Sequence, residues 1–261
     1  MRRRLQRLLP PLLILGAIIG AWYALAYSLE NNFASGDGSA LIVPPPHLLF
    51  DGVNSAVAER ITSAAYVSAS TALVGFLVAS LVGVALAIAM SSAKLVETAI
   101  WPWLIAIQVT PIIVLTPIIV RVLGPSFSAR VLVAVLISFF PVASSTLHGL
   151  QTVPQSLHDL FTLARAGRLR RLMELQLPSA SPSVFAGLRA SAGLAVIGAI
   201  VGDFFFTRGT PGLGRLITFY FQETQAGPMF VTALVATIIG LAFFLAVNLL
   251  RSILVSPWDH R

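Results

Sequence analysis

The 261-residue chain is 57% hydrophobic and only 10% charged, with a formal net charge of +7. Soluble domains carry about 25% charged residues, so an ordinary soluble domain is excluded. Without a single cysteine, disulfides, zinc–thiolate centres and cysteine nucleophiles are excluded as well. The basic residues sit in short segments between apolar runs, with no aromatic-interleaved basic stripe. That pattern points to orientation in a membrane, not to nucleic acid.

Residues 1–7 are basic and lead into an apolar run over 8–27, the first of six predicted spans. Pro10 and Pro11 fall in its first turn, where a missing N–H costs little. Ala24-Leu25-Ala26 also fits a signal-peptide cleavage site, and an uncleaved span is the preferred reading. Residues 28–46 are polar and rich in Gly and Pro, and read as a loop. Leu49, Val53, Ala56 and Val57 then give a short helix one apolar face, with Asp51 and Glu59 opposite, as in a helix lying on the membrane surface.

No charged residue occurs over 61–93, which exceeds the roughly 20 residues needed to cross a bilayer core. The second span is placed at 64–90. The third, 98–120, contains Gln108-Val-Thr-Pro-Ile-Ile-Val-Leu-Thr-Pro117. Its two prolines each remove an i→i−4 hydrogen bond and predict a kink. Such breaks are tolerated where neighbouring helices or a watered cavity satisfy the freed carbonyls. Gln108, Thr110, Pro111, Thr116 and Pro117 are therefore candidates for a translocation path, with a plain packing kink as the competing reading. Arg121, just past the apolar run, either snorkels to the headgroups or faces an aqueous path. The fourth span is 128–148.

The stretch 149–182 is the one sizeable polar interruption. Leu157, Leu160, Phe161 and Ala164 recur at i, i+3, i+4 and i+7, one apolar helix face. Leu169, Leu172 and Met173 begin a second such face, and Ala166-Gly167 separates the two. Arg165, Arg168, Arg170 and Arg171 decorate the polar side. Two short amphipathic helices on a basic loop between spans predict a docking element. The fifth span, 183–206, carries Gly193, Gly198 and Gly202, small residues that permit close helix approach. Asp203 near its end is expected to face protein or water, since an acid in lipid is expensive; it either lines the path or pairs with a neighbour. A glycine-rich loop over 207–227 precedes the sixth span, 229–250.

With the N-terminus inside, cytoplasmic segments hold eleven Lys and Arg against five outside, Arg189 lying within the fifth span. The excess predicts that both termini and the 149–182 loop are cytoplasmic.

The 155–178 segment, QSLHDLFTLARAGRLRRLMELQLP, resembles the cytoplasmic loop of permease subunits of ATP-binding-cassette importers. Their pattern is Glu-Ala-Ala, three residues, Gly, nine residues, Ile, one residue, Leu-Pro. Registered on Leu177-Pro178, Asp159 takes the Glu position and Leu175 the Ile position. Leu160 and Phe161 replace the alanines, and Arg165 replaces the glycine. Over roughly residues 40–250 the chain is similar to the nitrate/sulfonate/taurine-type permeases. Pro111 and Pro117 followed by Gly124, and Thr210-Pro-Gly-Leu-Gly214 after the fifth span, fit that likeness.

The resemblance implies an all-α polytopic fold of the type I importer permease kind, with a single permease domain over 1–261. It implies a homodimer or pseudo-dimer of permeases in the cytoplasmic membrane of a prokaryote, two cytoplasmic ATPase subunits, and an extracytoplasmic substrate-binding protein or lipoprotein. Leu157, Asp159, Leu160, Phe161, Ala164, Arg165, Gly167, Leu177 and Pro178 would couple to the ATPase. ATP and Mg would be bound by that partner and no cofactor by this chain. The substrate would be a small anion such as nitrate, a sulfonate or taurine, or a thiamine precursor.

The residues support a non-enzymatic role independently. The single lysine, Lys94, is preceded by Ser-Ala, so no P-loop can form. No H-E-x-x-H or G-x-S-x-G is present. A stand-alone secondary transporter or channel, which would normally show inverted repeats, and a membrane scaffold protein remain as alternatives.

Overall fold

The computed structural model describes residues 2–33, 43–206 and 209–254. Among these the only regular secondary structure is helical. Helices α1 (Arg2–Phe33), α2 (Ser55–Ser92), α3 (Lys94–Val109), α4 (Ile112–Leu123) and α5 (Phe127–Gln151) come first. After them follow α6 (Gln155–Leu163), α7 (Arg168–Arg171), α8 (Leu177–Asp203), α9 (Leu213–Gln222) and α10 (Ala226–Leu254). Four stretches are long and apolar enough to cross a membrane: α2, α5, the continuous 168–203 helix, and α10. The pair α3 and α4 makes a fifth if counted as one broken span. Within α1 the apolar stretch Leu12–Ser28 is shorter. It covers most of the first expected span.

The chain forms two compact units. One comprises residues 1–62 and 216–235. In it the Trp22 indole N–H donates to the Pro44 carbonyl (3.1 Å), and the Trp22 and Phe230 rings lie 6.0 Å apart. The short surface helix expected around residues 49–57 is absent. A 3₁₀ turn over Pro46–Leu48 is followed by Gly52 at φ +80°, a left-handed conformation that ends helical pairing there. Helix α2 then starts at Ser55, with the Asn54 Oδ1 accepting from the Val57 N–H (2.9 Å) as an N-cap.

The other unit, residues 63–215 and 236–261, is built on α5 packed along α8. Small residues make this possible: a Cβ on Gly198 would lie 2.7 Å from the Ala134 Cα, and one on Gly187 2.7 Å from the Pro141 carbonyl oxygen. Ala72, Ala79, Ala143, Ala192 and Ala199 fill the remaining space and are fully buried. Backbones thus approach closely, as membrane helices do when shape rather than hydrophobicity drives association.

The third expected span is not one kinked helix. Helices α3 and α4 meet at 96° across Thr110-Pro111, as a broken span or a re-entrant turn. Pro111 stands at the N-cap of α4, where its missing N–H is harmless. Pro117 sits inside α4 without ending it.

Between α7 and α8 the helix does not stop but widens into a π turn over Leu172–Gln176. Pro178 explains it: with no N–H it cannot pair four residues back. The chain responds by having the Leu177 N–H donate to the Leu172 carbonyl, five residues back.

Candidate functional site

The polar loop is a helix–break–helix. Pro154 opens α6, its carbonyl accepting from the Leu157 N–H at 3.1 Å. At the other end the Arg165 N–H donates to the Thr162 carbonyl (3.0 Å) and the Ala166 N–H to the Phe161 carbonyl (2.9 Å). Those two bonds are a Schellman cap, which needs a left-handed residue at the position just past the helix. That residue is Arg165, at φ +50°. The family pattern places its glycine there, and the reason is now visible: a side chain in this conformation costs about 1 kcal/mol or more. Gly167, part of the expected break between the two apolar faces, has an ordinary φ of −66° and precedes α7.

The α6 face is uncovered. Leu157, Leu160 and Leu163 are 38%, 58% and 83% exposed, Ala164 is exposed, and Phe161 is half-buried. Leu169 and Met173 beyond the break are exposed too. Asp159 is exposed and accepts from the Gln155 side-chain amide (3.1 Å). The Arg171 guanidinium donates to the Thr162 hydroxyl (2.9 Å), tying α7 back to α6. Leu177 is half-buried and Pro178 exposed at the start of α8.

At the far end of α5, some 30 Å away at 1.5 Å per residue, lies a buried charge cluster. Asp203 and Arg130 are 1% and 6% exposed. The Arg130 Nε stands 3.6 Å from Asp203 Oδ1, and its Nη2 donates to the Thr210 carbonyl (3.1 Å). Its guanidinium also lies 5.0 Å over the Phe206 ring, a cation–π contact. The Ser68 hydroxyl donates to Asp203 Oδ2 (2.8 Å) and accepts from the Leu213 N–H (2.8 Å). The Gly214 N–H donates to the Asp203 carboxylate. Asp203 and Ser68 therefore cap the first turn of α9 from other helices, satisfying N–H groups that α9 cannot satisfy itself. A Cβ on Gly212 would collide with Asp203 Oδ2, and one on Gly214 with the Ile200 carbonyl oxygen. The acid thus dictates Gly212, and the end of α8 dictates Gly214.

Asp203 is buried against protein, one of the two readings its sequence position allowed. Arg130 and Ser68 were not singled out from sequence. The signal was available for Arg130: opposite charges lie at matching ends of two antiparallel spans. The other residues expected along a path run from the α3–α4 break into α4, with Arg121 in its last turn. Gln108 and Pro111 are exposed, and Thr110 is half-buried with its hydroxyl donating to the Ala106 carbonyl (2.7 Å). Thr116 is fully buried and donates to the Ile112 carbonyl (2.8 Å). Pro117 and Arg121 are exposed. Among the described residues no group of three or more His, Asp or Glu side chains gathers as a metal site would require.

The family profile described as "Binding-protein-dependent transport system inner membrane component" matches residues 58–256. A probable ABC transporter permease protein of Haemophilus influenzae is 28% identical over 242 residues, 93% of this chain and 95% of the relative. The formylaminopyrimidine transport permease of Halalkalibacterium halodurans is 32% identical over 188 residues, 72% of this chain and 74% of its own. The riboflavin transport system permease of Chloroflexus aurantiacus is 32% identical over 163 residues, 62% of this chain and 60% of its own.

Proposed function

The chain belongs to the binding-protein-dependent transport inner membrane components, permease subunits of ATP-binding-cassette importers, and on that premise we propose how it works. It forms half of a solute path, with a second copy of itself as the other half. Helix α6 docks in a groove on a partner ATPase, two of which hold the ATP and Mg, and an extracytoplasmic binding protein or lipoprotein delivers the substrate. Both termini and the α6 loop face the cytoplasm, a reading supported by the excess of arginine in those segments.

The observation that carries this reading is the exposed apolar face of α6. Leu157, Leu160, Phe161 and Ala164 fall on one stripe of a capped helix, and leaving such side chains in water is unfavourable by about 1.5–3 kcal/mol for each large one. Asp159 and Arg165 flank the stripe and orient it. Motion of the ATPases passes through α6 and the π turn to the spans, and the broken α3–α4 element lines the path with Gln108, Thr110, Pro111, Thr116, Pro117 and Arg121. The substrate is a small solute. Similar permeases are named for formylaminopyrimidine, riboflavin, nitrate and sulfonates. The two for nitrogen heterocycles are 32% identical to this chain and those for nitrate and sulfonates 24–25%, which supports the heterocycle as the first choice.

The native absence of cysteine makes the test clean. Ala164→Cys is expected to crosslink to a cysteine in the groove of the co-expressed ATPase, with a yield that changes with nucleotide. Phe221→Cys, on the opposite side of the membrane, is expected to react with an impermeant reagent in intact cells and not to crosslink. Labelling of position 164 from outside, or a crosslink from position 221, would overturn orientation and function together.

A further inference from the structure

A cavity of about 540 Å³ opens in the unit formed by residues 1–62 and 216–235, lined among others by Asp51, Asn54, Arg60, Phe219, Tyr220 and Gln225. It holds an acid and a base that do not pair: neither Asp51 nor Arg60 takes part in any ion pair among the described residues. Tyr220 is buried, 1% exposed, and its hydroxyl has no hydrogen-bond partner among the described residues. That phenol lies within the field of the Arg60 guanidinium, which opposes the upward push of burial on its pKa. The Asn54 side chain uses its oxygen to cap α2, so its two amide N–H groups remain to donate. An opposed acid and base, an unused phenol and a free amide suit a ligand with both an anionic and a cationic group.

The position of the cavity narrows the source. Arg60 is the last charge before the uncharged run over 61–93, and α10 runs uncharged from Ala226, on the cavity wall, to Arg251. The cavity therefore lies where two membrane helices begin, at the depth of the lipid headgroups. Phe219 on its wall is 40% exposed, and Phe50, next to Asp51 in the chain, is 64% exposed, apolar surface for an acyl chain to follow.

We propose that this cavity binds the headgroup of a zwitterionic phospholipid of the phosphatidylethanolamine class. Arg60 and the Asn54 amide hold the phosphate, with Tyr220 as a further donor, and Asp51 holds the ammonium. Each of these is a charge-assisted contact, stronger than a neutral one. None of its lining residues belongs to the α6 loop or to the α3–α4 break, and its test does not depend on the transported solute.

The test uses the detergent-purified full chain with its ATPase partner. Dihexanoyl phosphatidylethanolamine is expected to raise the melting temperature saturably, and native mass spectrometry of the wild type should retain it. Dihexanoyl phosphatidylglycerol, which lacks the ammonium, is expected to bind about tenfold more weakly or worse, the loss of one charged contact. Asp51→Asn and Arg60→Gln should each weaken binding of the ethanolamine lipid to a similar degree. Ala56→Trp, which puts an indole on the cavity wall and leaves both charged residues in place, should abolish it. Equal affinity for the two lipids, or unchanged binding in Asp51→Asn and Arg60→Gln, would sink the proposal. Free phosphoethanolamine matching the lipid at the same concentration would overturn the lipid source and make this a solute site.

Discussion

At Arg165 the chain carries a side chain where its own cap calls for glycine. The strain is local, because both bonds of the cap are made despite it. Arg165→Gly is therefore expected to stabilise the α6 terminus by about 1 kcal/mol, slowing hydrogen exchange of the Ala164–Ala166 amides roughly fivefold. Unchanged protection would mean that the arginine has contacts that offset the strain. Arg130 and Asp203 pose the opposite case, a favourable pair at high desolvation cost. Removing one partner leaves the other charge buried and alone, so Asp203→Leu or Arg130→Met should each destabilise by about 3–5 kcal/mol. The double variant should cost less than the sum, read from denaturant midpoints in detergent, while Asp203→Glu should be mild. Strict additivity would show that the two charges do not act as a pair.

Among the elements, the amphipathic loop was the most legible. Periodicity over Leu157–Ala164 and again from Leu169 located α6 and α7 with the break between them, because nothing tertiary competes with the local pattern there. Asp203 was legible as an acid that needs a partner; the partner was not. Arg130 could be read from the sequence only as a basic residue near the start of the fourth span, and only packing reveals that Ser68 within α2 and the ends of α5 and α8 meet the start of α9. The third span was misjudged in degree. Two prolines predicted a kink, and the 96° turn arises because Pro111 serves as a helix start instead of an interior defect. If that corner shapes the solute path, Pro111→Ala with Pro117→Ala should leave assembly with the ATPase intact. Its stimulation by loaded binding protein should change severalfold. Wild-type stimulation would reduce the corner to packing.

For the molecule as a whole, composition settled the class and charge asymmetry suggested the orientation, since both are averages over many residues. The division into two compact units could not be foreseen, because it depends on contacts between stretches far apart in the chain. The resting packing of α5 on α8 through glycine and alanine leaves little side-chain freedom to lose. It suits a helix pair that moves as one body between the loop at one end and the charge cluster at the other.

The π turn over Leu172–Gln176 has a consequence for that body. One additional residue in a helical turn rotates everything beyond it by about 100° relative to an unbroken α-helix. The angular phase between the α6–α7 loop and the Asp203 end of α8 is therefore set by this single widened turn. Deleting Glu174 would remove the extra residue, at the cost only of its own exposed pair with Arg170 (2.9 Å) among the side-chain contacts it makes. The two ends would then be out of phase: either the α6 stripe faces away from its ATPase or Asp203 swings off Arg130 and Ser68. The shortened chain is expected to lose nucleotide-dependent crosslinking at position 164, or else to melt like Asp203→Leu. Retention of both properties would show that the turn is slack rather than a phase-setting joint.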